Sequence, residues 1–262
     1  MSMDAVFVQD GDRFTATDLA LGPWAPGALH GGAPAALLVH AINEHAGPDA
    51  ALRPARITYE FVRPVPMGPL TVEVAVVRPG RRVTLLDGLL RDPDGTEVTR
   101  ARALLLLPAE LGDTAWEPPP FPGPEKAERN DWQSPEHGRM FATDAMEIRF
   151  VRGRFREPGD AIAWFRLRHP LVAGRPTAPL ERIAAAADFG NGIASVLSWD
   201  EHVFINPDLT LHVEREPVDE WVALESVMRV GPGRIALAES VIWDRRGRIG
   251  RAVQSLLVGS RE

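Results

Sequence analysis

The stretch Ala28–His45, ALHGGAPAALLVHAINEH, places a histidine and two glycines directly in front of an apolar helical run. A shift of 152 positions along the same chain aligns residues 30–46 with residues 182–198, RIAAAADFGNGIASVLS, and pairs Ile57 with Leu209. A single offset that relates two distant parts of a chain indicates an internal repeat. Each copy is therefore predicted to contain one helix.

The residues that follow each helical segment alternate between apolar and polar. Leu70 and Val72 begin such a run in the first copy, and Val222 and Leu224 begin the matching run in the second. Turn sequences such as Pro-Asp-Gly at 93–95 separate the runs. Runs of period two between such turns are typical of antiparallel strands joined by hairpins. We expect one or two short strands, one helix and a meander of about four strands in each half.

The repeat divides the chain into three parts. Residues 1–107 and 146–262 are the two halves, and residues 108–145 are dense in proline and polar residues without a period, which predicts a linker. Because the offset is gapless, residues 27–107 are expected to superpose on 179–259 without insertions. A long helix wrapped by a curved antiparallel sheet in each half is an α+β architecture. Two such sheets joined edge to edge would protect each other's open edges.

Length and composition limit the kinds of protein that the chain can be. With 262 residues, 45% of them hydrophobic, the chain can bury a substantial core. It has no cysteine, which excludes disulfides, cysteine zinc sites and a thiol nucleophile. The seven histidines are scattered without the spacing of metal ligands, so we expect no metal and no cofactor.

Charge and hydropathy indicate which partners to expect. A formal net charge of −7 argues against a nucleic-acid partner, because phosphate binding depends on clustered Lys and Arg. The sequence has no run of about 18 apolar residues, and its N-terminus lacks the apolar segment of a signal peptide. We expect a cytoplasmic protein with neither a membrane nor a nucleic acid as its partner.

Asp188 is the first candidate for chemistry. On a continuous helix it extends the face of Leu180, Ala184 and Ala187, which should point at the sheet. Burying a carboxylate on an apolar face costs roughly several kcal/mol unless it is hydrogen-bonded, so partners for Asp188 are expected nearby. The alternative is that the helix breaks at Gly190 and Asp188 caps a turn.

Asn206 and Gln254 are the candidate partners. Asn206 precedes Pro207 just ahead of a predicted strand, where an ordinary loop asparagine is the alternative. Gln254 alternates with Ala252 and Leu256, so the three share one face of a strand, and a glutamine on an apolar face needs hydrogen-bond partners. The alternative for Gln254 is an outward-facing polar residue.

The repeat also compares the two halves with each other. By the offset, the three candidates Asp188, Asn206 and Gln254 align with Ala36, Pro54 and Arg102. The first half therefore lacks all three polar groups, while the second half has no counterpart of the His-Gly-Gly sequence. The two halves are predicted to contribute different parts of one site.

Four segments occur in an order that resembles a known family. They are HGGAPAALL (30–38), AADFGNG (186–192), FINPDLTLHVEREP (204–217) and RAVQSLLV (251–258). The chain resembles the acyl-CoA thioesterase II (TesB-like) enzymes, which consist of two tandem hotdog units. The resemblance covers nearly the whole chain except the linker, and it implies a double-hotdog fold.

The resemblance also implies roles for residues. Family members hold a water for attack on the thioester with an Asp, a Thr and a Gln, which correspond here to Asp188, Asn206 and Gln254, so that Asn replaces Thr. It further implies that the Gly31–Gly32 backbone, at the positive end of a helix, binds the oxyanion. Tight packing of the helix start is the alternative for the glycines. His30 is grouped with these glycines in the candidate oxyanion and substrate-binding site, where its expected duty is structural, hydrogen-bonding a neighbouring loop.

The function implied is hydrolysis of an acyl-CoA, a small-molecule substrate, to free acid and CoA by an activated water. A homo-oligomer, a dimer or larger, is expected. One alternative is an acyl-CoA or acyl-group binding protein with little catalysis, which the Asn at position 206 favours. Another is an enoyl-CoA hydratase, which would pair Asp188 with a histidine such as His202.

Overall fold

The computed structural model describes residues 4–47, 51–109, 116, 118–119, 121–132 and 138–261. The first half contains β1 (Phe7–Asp10), β2 (Arg13–Ala16), α1 (Gly32–Ala46), β3 (Arg53–Phe61), β4 (Pro69–Arg78), β5 (Val83–Arg91) and β6 (Glu97–Leu106). The second contains β7 (Glu128–Arg129), β8 (Met146–Arg152), β9 (Ala161–Leu167), α2 (Pro179–Ala187), α3 (Gly190–Ile193), β10 (His202–Ile205), β11 (Asp208–Val213), β12 (Val222–Val230), β13 (Ala236–Asp244) and β14 (Gly247–Ser260). Within the described ranges, no helix is long and apolar enough to cross a membrane.

One antiparallel sheet runs through the whole molecule. Its strand order is β1-β2-β4-β5-β6-β3-β11-β14-β13-β12-β9-β8-β7, and β10 pairs with β14 off this path. β3 and β11 join the two halves at the centre, where Thr58 lies opposite Thr210. These two threonines are 152 residues apart, so the repeat becomes a pseudo-two-fold axis through their pairing. The predicted α+β architecture of two related halves is confirmed.

The helices lie buried against the sheet and against each other. Leu37, Leu38 and Ile42 of α1 are fully buried in the main core. Further along α1, the buried His40 Nδ1 is 2.8 Å from Oε1 of Glu181 in α2. α1 and α2 run in opposite directions, so the start of α1 lies beside the end of α2. This packing brings the His-Gly-Gly sequence to Asp188.

The expected gapless superposition is wrong by one residue in the last strand. In the first half Leu86 pairs with Ala103, whereas its counterpart Ala238 pairs with Gln254. The β13–β14 turn is therefore one residue shorter than the β5–β6 turn. Gln254 corresponds to Ala103 and not to Arg102. A one-residue change moves a side chain to the other face of a sheet, and Arg102 accordingly points outward.

The helices of the two halves also differ. The helix predicted over 182–198 begins at Pro179 and ends at Ala187, and a single turn, α3, follows after Asp188 and Phe189. A proline at the first helical position and the Glu181 carboxylate, which accepts the Ala178 N–H at 2.8 Å, favour this early start. By the 152-residue offset, α1 would start at 184.

Residues 108–145, predicted as the linker, carry structure in their described part. β7 pairs with β8, and Phe141 begins a π-helical turn that is buried in the core. Phe121 stacks on Trp243, and the Trp164 indole donates to the Pro122 carbonyl. Residues 121–132 therefore pack on the second half, whereas the Phe141 N–H donates to the Leu21 carbonyl of the first half. The three-part division of the chain stays a prediction.

Candidate active site

Asp188 is a buried carboxylate with two amide donors. It follows the last residue of α2, and 6% of its surface is exposed. Its Oδ1 accepts Asn206 Nδ2 at 2.9 Å and Gln254 Nε2 at 3.3 Å. The structure thus brings together the three side chains that the sequence singled out, and these contacts satisfy a carboxylate inside an apolar surrounding. Asp188 is buried, as the helical interpretation predicted, and it also follows the end of a helix, as the alternative predicted.

Both amide groups direct their donors at protein acceptors. Asn206 Nδ2 also donates to the Asp208 carbonyl at 3.1 Å, which uses its second hydrogen. Gln254, 1% exposed, also approaches the Asp188 carbonyl with Nε2, at 3.4 Å. The two amides therefore orient the carboxylate of Asp188 and leave Asn206 no free donor for a water.

His30 lies on the other side of the carboxylate. Its Nδ1 is 3.2 Å from Asp188 Oδ2 and accepts the Gly32 N–H at 3.1 Å. The imidazole stacks on Phe189, with ring centroids 4.4 Å apart, and tilts against Phe141. The His30 side chain thus contacts the candidate catalytic carboxylate, which lies in the connection between α2 and α3, and its structural role stays a prediction.

Close approach explains the two glycines. A Cβ on Gly31 would lie 2.7 Å from Asp188 Oδ2, and one on Gly32 would lie 2.5 Å from the Ala185 carbonyl oxygen. Of the two N–H groups expected to bind an oxyanion, that of Gly32 is directed at His30 and Asp188. In the described part of the chain, the Gly31 N–H has no hydrogen-bond partner, and Gly31 is among the residues that line a cavity.

Burial has opposite effects on the two ionisable groups. It raises the pKa of Asp188 to about 7, against the lowering effect of hydrogen bonds from Asn206, Gly32 and Gln254. Burial lowers the pKa of His30 to about 3, so the imidazole is neutral at physiological pH. A carboxylate that titrates near neutrality is suited to accept a proton and later return it.

A first cavity, here called the aromatic cavity, is lined in part by Asp188 and Asn206. Its volume is about 280 Å³. Trp24 and Trp199, stacked at 5.1 Å, form part of its wall together with Phe155. Its other lining residues include His30, Asn191, Arg156 and Arg261.

A second cavity, here called the aliphatic cavity, is also lined in part by Asp188 and Asn206. Its volume is about 260 Å³. Its lining includes Leu29, Val65, Ile205 and Leu257, together with Gly31 and Arg63. Asp188 and Asn206 line both cavities, so they lie where the two meet.

The pseudo-two-fold axis relates the aliphatic cavity to a third one, of about 530 Å³, in the other half. Its residues Pro54, Leu106, Val213 and Arg215 occupy the positions of Asn206, Leu257, Phe61 and Arg63. It has a proline in place of Asn206, and Ala103 stands where the other half has Gln254. The two cavities have related linings and different volumes, and the amides of Asn206 and Gln254 have no counterpart at the larger one.

Sequence reasoning missed Asn191. This residue is 3% exposed, and its backbone N–H donates to Gln254 Oε1 at 3.1 Å. Its side-chain Nδ2 approaches Asn206 Oδ1 at 3.4 Å. The available signal was an asparagine between two glycines directly after a candidate catalytic aspartate. In the residues that the structure describes, no group of three or more His, Asp or Glu is arranged for a metal ion.

Two family models match the chain. The model described as the acyl-CoA thioesterase N-terminal domain matches residues 20–106, and the one described as the acyl-CoA thioesterase C-terminal domain matches residues 117–258. Together they span both halves of the repeat. No curated protein sequence matches the chain.

Solved structures share the fold over nearly the full length. An acyl-CoA thioesterase II of Mycobacterium marinum is 16% identical with a TM-score of 0.66, covering 98% of this chain and 96% of that one. A tesB protein of Mycobacterium avium is 16% identical with a TM-score of 0.68, covering 97% and 96%. A hot dog fold protein of Alicyclobacillus acidocaldarius is 18% identical with a TM-score of 0.72, covering 98% and 96%. The predicted tandem double-hotdog fold is confirmed.

Proposed function

The chain belongs to the acyl-CoA thioesterase family, and we propose that it hydrolyses an acyl-CoA thioester to the free acid and CoA with a water activated by Asp188. The observation that carries the proposal is the position of Asp188. Its buried carboxylate is held by two amides and lies where two cavities meet. A thioester placed there would have room for an acyl group on one side and for the CoA arm on the other.

Asp188 is the general base. Asn206 and Gln254 donate to Oδ1, and Oδ2, which lies 3.2 Å from His30 Nδ1, accepts a proton from the attacking water. The water oxygen bonds to the thioester carbonyl carbon, and the carbonyl electrons move to its oxygen. When the tetrahedral intermediate collapses, the C–S bond breaks, and the proton held by Asp188 passes to the leaving sulfur. The products are the acid and the thiol, with Asp188 returned to its starting state.

Two donors are positioned for the oxyanion. The Gly31 N–H lies at the start of α1, where the helix dipole favours negative charge, and Gly31 is one of the residues lining the aliphatic cavity. We assign the ring proton of His30 to Nε2, because the Gly32 N–H is directed at Nδ1, and the His30 ring lines the aromatic cavity. A neutral imidazole donates there without adding a buried charge.

The two cavities suggest which end of the substrate enters each one. The aliphatic cavity, lined by Leu29, Val65 and Leu257, suits a hydrocarbon chain. The aromatic cavity carries Arg261 and Arg156 among its lining, and guanidinium groups bind phosphates. We assign the acyl group to the aliphatic cavity and the CoA arm to the aromatic cavity.

A thiol-release assay on a panel of acyl-CoAs tests the proposed function. We expect free CoA from at least one saturated acyl-CoA in stoichiometric amounts with the acid. A protein that only binds acyl groups would release no thiol. A hydratase would also release none, but it would consume the double bond of an enoyl-CoA. Either result would overturn the proposal.

The proposal extends to assembly and location. We propose that the protein works in the cytoplasm as a homo-oligomer, a dimer or larger. Leu257 in β14 is 68% exposed and Ile235, directly before β13, is 71% exposed, and exposed apolar side chains of this size favour burial in an interface. Light scattering at micromolar protein concentration tests the assembly, and a monomeric mass would contradict it.

A further inference from the structure

Asn191 contacts both amides that hold the candidate base. Its backbone N–H donates to Gln254 Oε1 at 3.1 Å, and its Nδ2 approaches Asn206 Oδ1 at 3.4 Å and the Phe204 carbonyl at 3.3 Å. In the described part of the chain, no other donor reaches either of those two side-chain oxygens. One buried residue therefore fixes the oxygen ends of two different amides.

An amide side chain has a donor end and an acceptor end, and a half-turn exchanges them. At Asp188 only the donor end stabilises the ionised carboxylate, since the acceptor end would repel it. Asn191 holds the oxygens of Asn206 and Gln254 on the side away from Asp188, so their nitrogens face it. This constraint does not depend on whether Asp188 carries a proton.

We propose that Asn191 is a positioning residue that aims Asn206 and Gln254 at the carboxylate of Asp188. The inference rests on the proposed function only in so far as Asp188 acts as the base. It goes further in assigning a task to a residue that touches no part of the reacting carboxylate. The same contacts also depend on the break between α2 and α3.

In an uninterrupted helix, the N–H of residue 191 would bond to the carbonyl of residue 187. Here the chain leaves α2 at Asp188, and the Asn191 N–H is free to donate to Gln254. Gly190 makes the approach possible, because a Cβ at that position would lie 3.0 Å from Gln254 Oε1 and 2.7 Å from Ser240 Oγ. The glycine and the break together bring α3 against β13 and β14.

Asn191→Ala and Asn191→Asp test the side-chain part of the proposal, since both variants keep the backbone N–H that donates to Gln254. The alanine removes the donor to Asn206, and the ionised aspartate, of the same size, also places acceptors against Asn206 Oδ1 and the Phe204 carbonyl. We expect kcat to fall roughly 10- to 100-fold in Asn191→Ala and further in Asn191→Asp, with KM within about threefold of the original protein. In both variants the acid limb of the pH–rate profile should move to higher pH, because a carboxylate that loses donors has a raised pKa.

Ser195→Ala is the matched control. Ser195 is buried just after α3, and its hydroxyl donates to the Leu197 carbonyl without contacting the Asp188 cluster. This variant should lose thermal stability much as Asn191→Ala does and keep its kcat and its pH profile. If Ser195→Ala shifts the pH profile as far as Asn191→Ala, Asn191 has only a general structural role and the proposal is wrong.

A measurement without substrate separates this proposal from the proposed function. ¹³C NMR can follow the titration of the Asp188 carboxyl carbon, assigned with Asp188→Asn, in the original protein and in Asn191→Ala. A higher midpoint in the variant supports the positioning role even if the protein hydrolyses no thioester. An unchanged midpoint overturns it even if hydrolysis is found. Should Asn191→Ala fail to fold, Asn191→Gln, whose longer side chain displaces the amide, takes its place in the same titration.

Discussion

The side-chain nitrogen of Asn206 donates to Oδ1 of Asp188 at 2.9 Å while its second hydrogen binds the Asp208 carbonyl. A threonine at this position would offer a single hydroxyl hydrogen, whereas asparagine offers two donors and an acceptor. The asparagine therefore links the carboxylate to the start of β11 and to Asn191. The substitution that distinguished this chain at the sequence level is fully hydrogen-bonded in the fold.

Asp188→Asn is expected to abolish most of the hydrolysis. The asparagine oxygen can still accept from Asn206 and Gln254, so the site should keep its shape while losing the base. Turnover should fall about 10²- to 10⁴-fold, roughly 3 to 5 kcal/mol in the barrier. Steady-state thiol release measures kcat, and binding of a non-hydrolysable acyl-CoA analogue should change little. A variant with full activity would place the base elsewhere.

The original protein should show a rate that rises with pH. Hydrolysis needs ionised Asp188, and burial raises the pKa of that carboxyl to about 7. We expect kcat/KM to increase through an apparent pKa near 7 and to level off above it. Initial rates between pH 5 and 9 in buffers of constant ionic strength test this. A profile that is flat down to pH 5 would contradict the raised value.

The raised pKa of Asp188 also means that the ionised carboxylate lowers the stability of the folded protein. Its folded value of about 7 lies above the ordinary value of 3.8, so the folded chain binds the proton more tightly than the unfolded chain. The protonated Asp188 carboxyl therefore contributes to the free energy of unfolding. This contribution is complete below about pH 4 and is lost as pH rises through 7. Asp188→Asn should thus be more stable than the original at pH 8, by on the order of 1 to 4 kcal/mol. Thermal melts should show the difference shrinking towards pH 4.

Gly31→Ala is expected to damage catalysis and spare the fold. Gly31 has ordinary helical dihedral angles, so alanine introduces no backbone strain, but its methyl group would lie 2.7 Å from Asp188 Oδ2. Displacement of the carboxylate should lower kcat by roughly 10- to 100-fold. Gly233→Ala is the control, because a Cβ there meets no atom within 4 Å. Equal rates in the two variants would show that the close approach has no role in catalysis.

Arg261→Ala tests the side assigned to the CoA arm. If Arg261 binds a CoA phosphate, KM for an acyl-CoA should rise about 5- to 20-fold, the loss of one charge-assisted contact. KM for the matching acyl-N-acetylcysteamine, which lacks the nucleotide, should stay constant. Arg102→Gln provides the control, since Arg102 pairs with Asp87 on the outer face of the sheet. An equal rise for both substrates would assign the phosphates to another surface.

Much of the fold follows from patterns that a single sequence contains. Period-two runs and a constant offset predicted the strands, and the pairing of Thr58 with Thr210 follows that offset. The one-residue shift of β14 could not be predicted from the sequence, because a hairpin turn can lose a residue without altering the apolar–polar alternation of either strand. Arg102 was for that reason matched with Gln254 in place of Ala103.

The sequence predicted most residues of the candidate site, but it did not predict which of them contact each other. Asp188 and Gln254 stood out because polar groups on apolar faces need partners. The contact of His30 with Asp188 depends on how α1 and α2 pack, and no local pattern encodes that. Asn191 was missed since a polar residue between glycines resembles an ordinary turn. Its role depends on Gln254, which lies 63 residues further along the chain.

The pairing of β3 with β11 makes the two halves resemble a dimer whose subunits share one polypeptide. Association of separate subunits is second order and weakens on dilution, whereas two tethered halves meet at an effective concentration set by the connecting chain, of the order of millimolar. Tethering also removes the need for both partners to be alike. Because each half pairs with the other half of the same chain through β3 and β11, the two copies can diverge in sequence and take on different roles. A half with one role then always pairs with a half that has the other role.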